Sequence, residues 1–134
     1  MIPGSWRSLL NLFKERSSFW AKDQLVSSMH KALKHSSFIN KDALHVKMSP
    51  DSRLVIWGDI HGAFHSLLRC LKRLKAEGLI DDSLKITKEN VRFIFMGNII
   101  DRSAYSLETL SLILILINQN PDKVIYMRAS TLSR

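Results

Sequence analysis

Three short apolar runs, Arg53–Trp57, Val91–Met96 and Lys123–Met127, alternate with two longer stretches of helical periodicity. This alternation constrains the fold more than any other feature of the chain. Phe64 to Ala76 sets Leu67, Leu68, Leu71 and Leu74 on one helical face and Arg69, Lys72, Arg73 and Lys75 on the other, and Gly78 follows as a helix C-cap. Leu107 to Asn118 is apolar almost all round at Leu112–Ile117, which predicts a helix covered on several sides, and Asn120-Pro121-Asp122 stops it. Arg53–Trp57 and Val91–Met96 read as buried strands. Strands separated by helices of this length imply parallel pairing through right-handed crossovers, an α/β chain built as βαβαβ.

The region before Arg53 is helical in pattern. Trp6, Leu9, Leu10 and Phe13 fit one helical face, and Leu25, Val26, Met29 and Leu33 repeat the pattern in a second short helix that stops near His35. Either helix could lie on a surface as an amphipathic element; packing on the following domain is the simpler use. Ser49-Pro50-Asp51-Ser52 is a turn signal. We therefore divide the chain into a helical region, 1–50, and an α/β region, 51–134.

Charge and composition limit the function classes. Residues 1–50 carry eight Lys/Arg against three Asp/Glu, most of the net charge of +8. A surplus of this kind attracts nucleic acid or anionic lipid when it is clustered. Here it is interleaved with apolar helical positions and accompanied by no nucleic-acid-binding motif, so solvated helix faces account for it. The expectation is no nucleic-acid partner. The single cysteine, Cys70, excludes an internal disulfide framework and falls on the apolar side of its predicted helix as a core residue. The N-terminus lacks a secretory apolar segment, and the apolar run Leu112–Ile117 is far shorter than the ~20 residues of a membrane span. These features predict a cytoplasmic chain without a membrane span. His30, His35 and His45 have no ligand partners at useful spacing and read as surface or structural residues.

The chemistry-bearing residues lie at the strand ends. The first strand runs into Gly58-Asp59-Ile60-His61-Gly62 and the second into Gly97-Asn98-Ile99-Ile100-Asp101-Arg102. Asp59 and His61 share a side-chain parity, and their oxygen and nitrogen donors suit a first-row divalent metal. Taken alone, the first loop reads as well as a strand-to-helix turn in which Asp59 caps the next helix. The second loop changes the balance. In parallel sheets, ligands gather beyond the carboxyl ends of the strands, and neighbouring strands would bring the two loops together. The result is two carboxylates, a His, an Asn and an Arg at one sheet edge, with Arg102 suited to bidentate contact with a phosphate.

From Leu54 to Arg128 the chain resembles the calcineurin-like metallophosphoesterases, and within them the serine/threonine phosphoprotein phosphatase branch. That family carries Gly-Asp-x-His-Gly, intact here at Gly58–Gly62, then Gly-Asp-x-x-Asp-Arg-Gly, present here as Gly97-Asn98-Ile99-Ile100-Asp101-Arg102-Ser103. Ser106-Leu107-Glu108-Thr109-Leu110, Asn120-Pro121 and Tyr126-Met127-Arg128 follow at the expected distances. The resemblance implies a two-sheet sandwich of which this chain supplies about the first three strands, preceded by short N-terminal helices. It implies that Asp59 and His61 are ligands of the first metal, and that Asn98 stands where the family has a bridging Asp. It also implies that Asp101 orients a catalytic His and that Arg102 binds phosphate. The implied cofactors are divalent ions, manganese, iron or zinc, and the substrate a phosphoprotein or small phosphomonoester.

The departures bear on activity. Asn98 is neutral, so the negative charge that would hold two dications together is reduced, and at most one ion is expected here. After Arg128 the family's third motif is replaced by Ala129-Ser130-Thr131-Leu132-Ser133-Arg134, so the resemblance implies a truncated or degenerate copy, inactive by itself. An incomplete sandwich would leave an apolar sheet face open to a protein partner. Three readings follow: a metal-dependent phosphoesterase, a non-catalytic pseudophosphatase that serves as an interaction module, and a basic helical protein binding nucleic acid or membrane surfaces.

Overall fold

The computed structural model describes residues 22–35 and 45–127. The helix expected around Trp6–Phe13 and the segment from Arg128 onward lie outside them. The described elements run α1 (Lys22–His35), β1 (Arg53–Trp57), α2 (Phe64–Ala76), β2 (Val91–Met96), α3 (Ser106–Gln119) and β3 (Val124–Met127). They form an α/β unit in which the three strands pair in parallel in the order β1-β2-β3. The register sets Trp57 opposite Phe95 and Phe95 opposite Tyr126, so the C-terminal ends of all three strands lie along one edge.

The core forms on one face of the sheet. Val91, Phe93 and Phe95 project from β2 at period two, and all three are buried with Val124 of β3. Trp57 stacks on Phe95 at 4.6 Å and meets Phe93 edge-on at 5.2 Å. Helix α2 contributes Phe64, Leu67, Leu71 and Leu74, and α3 contributes Leu112, Ile113, Ile115 and Leu116 to the same cluster. Helix α2 ends as its sequence requires. Gly78 takes φ +73 and donates to the Lys75 carbonyl, while Leu79 donates to Leu74. This is the paired closure of a Schellman motif, with Leu74 and Leu79 both buried beneath it.

Helix α3 is covered on several sides, as its uniformly apolar middle predicts. Helix α1 packs against it, and the Asn118 amide donates to the Ser28 carbonyl at 3.1 Å and pairs with its hydroxyl at 2.9 Å. Asn120 then ties the end of α3 to the connection before β2. Its side chain accepts from the Ile86 amide at 2.7 Å and donates to the Leu84 and Leu116 carbonyls, each at 2.9 Å. These bonds satisfy backbone groups that burial would otherwise orphan. Cys70 is half-buried against the core, in line with a structural role.

One expectation needs revision. β1 is not buried on both sides: Leu54 and Ile56 are exposed on the face away from α2 and α3, joined there by Met96 and Met127. A five-residue apolar run looks alike whether one face or two are covered, and β1 is one of the two edge strands of the described sheet. Among the described residues, no helix is long and apolar enough to cross a membrane.

Candidate metal centre

Parallel pairing of β1 with β2 brings their two exit loops side by side, and the backbone stitches them together. The amides of Ile60 and His61 both donate to the Asn98 carbonyl, at 2.8 and 3.1 Å, and Gly62 donates to Ile99 at 2.8 Å. In the reverse direction the Asn98 amide donates to Asp59 Oδ1 at 2.8 Å. This bond accounts for one oxygen of Asp59. Helix α2 begins after Ala63 without a side-chain cap, so Asp59 caps no helix and is held instead by the second loop.

Two glycines make the approach possible. Gly97 has φ +92, and a Cβ there would overlap Asp59 Oδ1 and lie 3.0 Å from its Cγ. At Gly62, φ +69, a Cβ would come within 2.6 Å of the Ser103 Cβ. Ser103 stands where the family motif has Gly, and its hydroxyl ties the loops, donating to the Gly62 carbonyl at 3.0 Å and accepting from Tyr105 at 3.1 Å. Within these two loops three non-glycine residues also take positive φ, His61 at 47, Asp101 at 110 and Arg102 at 54, and Leu84 at 64 does so elsewhere. Such conformations cost energy and concentrate at functional sites.

The side chains converge as follows. His61 Nε2 lies 3.7 Å from Asp59 Oδ2, and His61 Nδ1 lies 2.6 Å from Asp101 Oδ1. Two ligands bonded to one divalent ion at about 2.0–2.2 Å each are at most ~4.4 Å apart, so the Asp59–His61 separation is within reach of a single ion. Asn98 is half-buried beside them, and its side-chain amide makes no hydrogen bond among the described residues. Arg102 is exposed next to Asp101, and its guanidinium has no ion pair among the described residues. Among the described residues, no group of three or more His, Cys, Asp or Glu side chains converges on one point suited to a metal. The arrangement is thus one carboxylate and one imidazole at 3.7 Å, with a second carboxylate hydrogen-bonded to the far side of the ring. Sequence reasoning placed all five residues at this edge but not the contact between Asp101 and His61, which depends on the positive φ values of both.

Comparison with known proteins matches the sequence that forms these loops to a family. Residues 52–128 match the family described as calcineurin-like phosphoesterase. The chain is 33% identical over 100 residues to the serine/threonine-protein phosphatase 6 catalytic subunit of Caenorhabditis elegans, a match covering 74% of this chain and 27% of that protein. It is 36% identical over 83 residues to serine/threonine-protein phosphatase SIT4 of Candida albicans, covering 62% and 24%. It is 37% identical over 81 residues to serine/threonine-protein phosphatase PP1-1 of Saccharomyces cerevisiae, covering 60% and 23%. The chain therefore spans about a quarter of the length of these curated relatives. Since the family match extends over more than half of the chain and takes in both strand-end loops, the chain belongs to the calcineurin-like phosphoesterase family.

Proposed function

We propose that this chain carries the first metal half-site of a protein-phosphatase-like phosphoesterase, binding one divalent ion through Asp59 and His61 without turning over substrate by itself. The observation that carries the reading is the 3.7 Å approach of Asp59 Oδ2 to His61 Nε2, with the other Asp59 oxygen pinned by the Asn98 amide. Manganese, iron and zinc all suit an oxygen–nitrogen donor pair. A bound ion supplies Lewis-acid polarisation of a phosphoryl oxygen. The remaining work falls to the protein. Arg102, exposed beside the pair, grips phosphate oxygens with its planar fork. Asn98 offers an amide oxygen to the same ion but brings no charge, which limits the site to one cation.

The substrate class follows from the relatives, whose names are those of serine/threonine-protein phosphatases. We assign a phosphoprotein, with a small phosphomonoester as its minimal mimic. Without turnover the chain would serve as a phosphate-binding interaction module, and the exposed strip of Leu54, Ile56, Met96 and Met127 supports a protein partner on that part of the sheet face, where Ile125 is already buried. The test is a manganese-supplemented assay of the full chain on an aryl phosphate beside Asp59→Asn. The expected result is no turnover above that variant, with metal-dependent binding of inorganic phosphate that Arg102→Ala removes. Turnover lost in Asp59→Asn would establish a self-sufficient enzyme instead.

A further inference from the structure

We infer that Asp101 is a positioning residue for His61, fixing the imidazole in the tautomer that turns its free nitrogen toward Asp59. The inference rests on the reading of Asp59 and His61 as a metal pair, and it departs from the role the family resemblance gives to Asp101, that of orienting a separate catalytic His. Here the Asp101 carboxylate lies 2.6 Å from Nδ1 of His61 itself. An ionised carboxylate only accepts, and a neutral imidazole carries one N–H, so the proton sits on Nδ1 and the lone pair on Nε2. Nε2 is the nitrogen that faces Asp59 Oδ2.

The backbone is built to deliver this contact. Asp101 holds φ +110, and its amide donates at 3.3 Å to the hydroxyl of Ser106, the first residue of α3. The same hydroxyl donates to the Ser103 carbonyl at 3.1 Å. His61, at φ +47, turns toward Asp101 from the other loop. Strained conformations at both ends of one short hydrogen bond persist because the loops are anchored on either side. The arrangement also answers the loss of charge at position 98. A carboxylate behind a ligating imidazole raises its basicity, so Asp101 strengthens through His61 a site that Asn98 leaves one negative charge short.

The test separates tautomer from metal. Long-range proton–nitrogen NMR on the nitrogen-labelled full chain, at about pH 8.5 and so well above the ordinary imidazole pKa of ~6.5, reads the protonated nitrogen of His61 directly. His61→Gln assigns the signal. Asp101→Gly is the informative variant, since glycine accepts φ +110 without strain and the change removes only the carboxylate. Asp101→Asn is the rescue, because its carbonyl oxygen still accepts from Nδ1. The expected result is an Nδ1–H tautomer in the parent chain and in Asp101→Asn, lost in Asp101→Gly together with about a 10–100-fold fall in zinc affinity. An Nε2–H tautomer in the parent chain, or the same tautomer in Asp101→Gly, would overturn the inference. An Asp101-dependent tautomer in a chain that binds no zinc would uphold the positioning role while overturning the metal reading on which it builds.

Discussion

Replacing Gly97 by Ala tests whether the two loops are packed as tightly as the geometry requires. The added Cβ overlaps Asp59 Oδ1 and comes within 3.0 Å of its Cγ. The carboxylate must therefore swing away, breaking its bond with the Asn98 amide. Holding a non-glycine residue at φ +92 costs roughly 1–3 kcal/mol. The lost bond adds about 1 kcal/mol, toward the lower end for a charged acceptor because Asp59 is more than half exposed and water takes up part of the loss. The sum is a destabilisation of about 2–4 kcal/mol, read from the urea midpoint at constant slope. Gly58→Ala is the control, since a Cβ there meets nothing within 4 Å. The same substitution should abolish manganese binding, because it displaces the proposed ligand Asp59. A Gly97→Ala chain with unchanged midpoint and unchanged metal affinity would refute the packing argument.

Three further outcomes follow from other parts of the structure. Asn120→Ala removes the partner of the Ile86 amide and of the Leu84 carbonyl, and at about 1–3 kcal/mol for each buried group left unpaired the loss is roughly 2–6 kcal/mol by chemical denaturation. Asn98→Asp restores a charge beside the Asp59–His61 pair, so calorimetry should record manganese affinity rising about tenfold or more, a shift of ~1.4 kcal/mol. Acid should destabilise the chain in a definite window. The hydrogen bond from Arg53, with that from Arg73, holds Glu77 below its ordinary value of 4.5, and Lys123 does the same for Glu89. At Asp81 burial pushes upward but is outweighed by hydrogen bonds from the Ser83 hydroxyl and the Lys85 and Ser83 amides, leaving it below 3.8. Groups depressed on folding contribute stability above their unfolded values and lose it as pH falls through the folded ones. The denaturation midpoint should therefore hold to about pH 4.5 and then decline, with a shallower decline in an Arg53→Gln/Lys123→Gln double variant.

Much of this fold is legible in the residues because local and tertiary signals agree. Phe64 to Ala76 has one clean apolar face and a glycine to close it, and the helix spans those residues. Val91–Met96 alternates buried and half-buried positions, as a strand packed hard on one face does. Leu54 and Ile56 were harder to read, since their exposure depends on what lies across the sheet rather than on their own run. Asn120 reads as a helix stop, yet its bonds to Ile86 and Leu84 depend on a connection whose path no periodicity specifies. The site divides in the same way. Adjacency of Asp59, His61, Asn98, Asp101 and Arg102 follows from parallel neighbours. The Asp101–His61 hydrogen bond does not, because it needs left-handed backbone at non-glycine residues that composition does not announce.

The central claim is that Asp59 and His61 together hold one divalent ion. Titration of manganese into the full chain, followed by calorimetry and by loss of the free-ion electron paramagnetic resonance signal, tests it most directly. One ion per chain is expected, weakened at least about tenfold in Asp59→Asn and in His61→Gln and undetectable when both are changed. No binding by the parent chain, or binding that survives the double substitution, would contradict it.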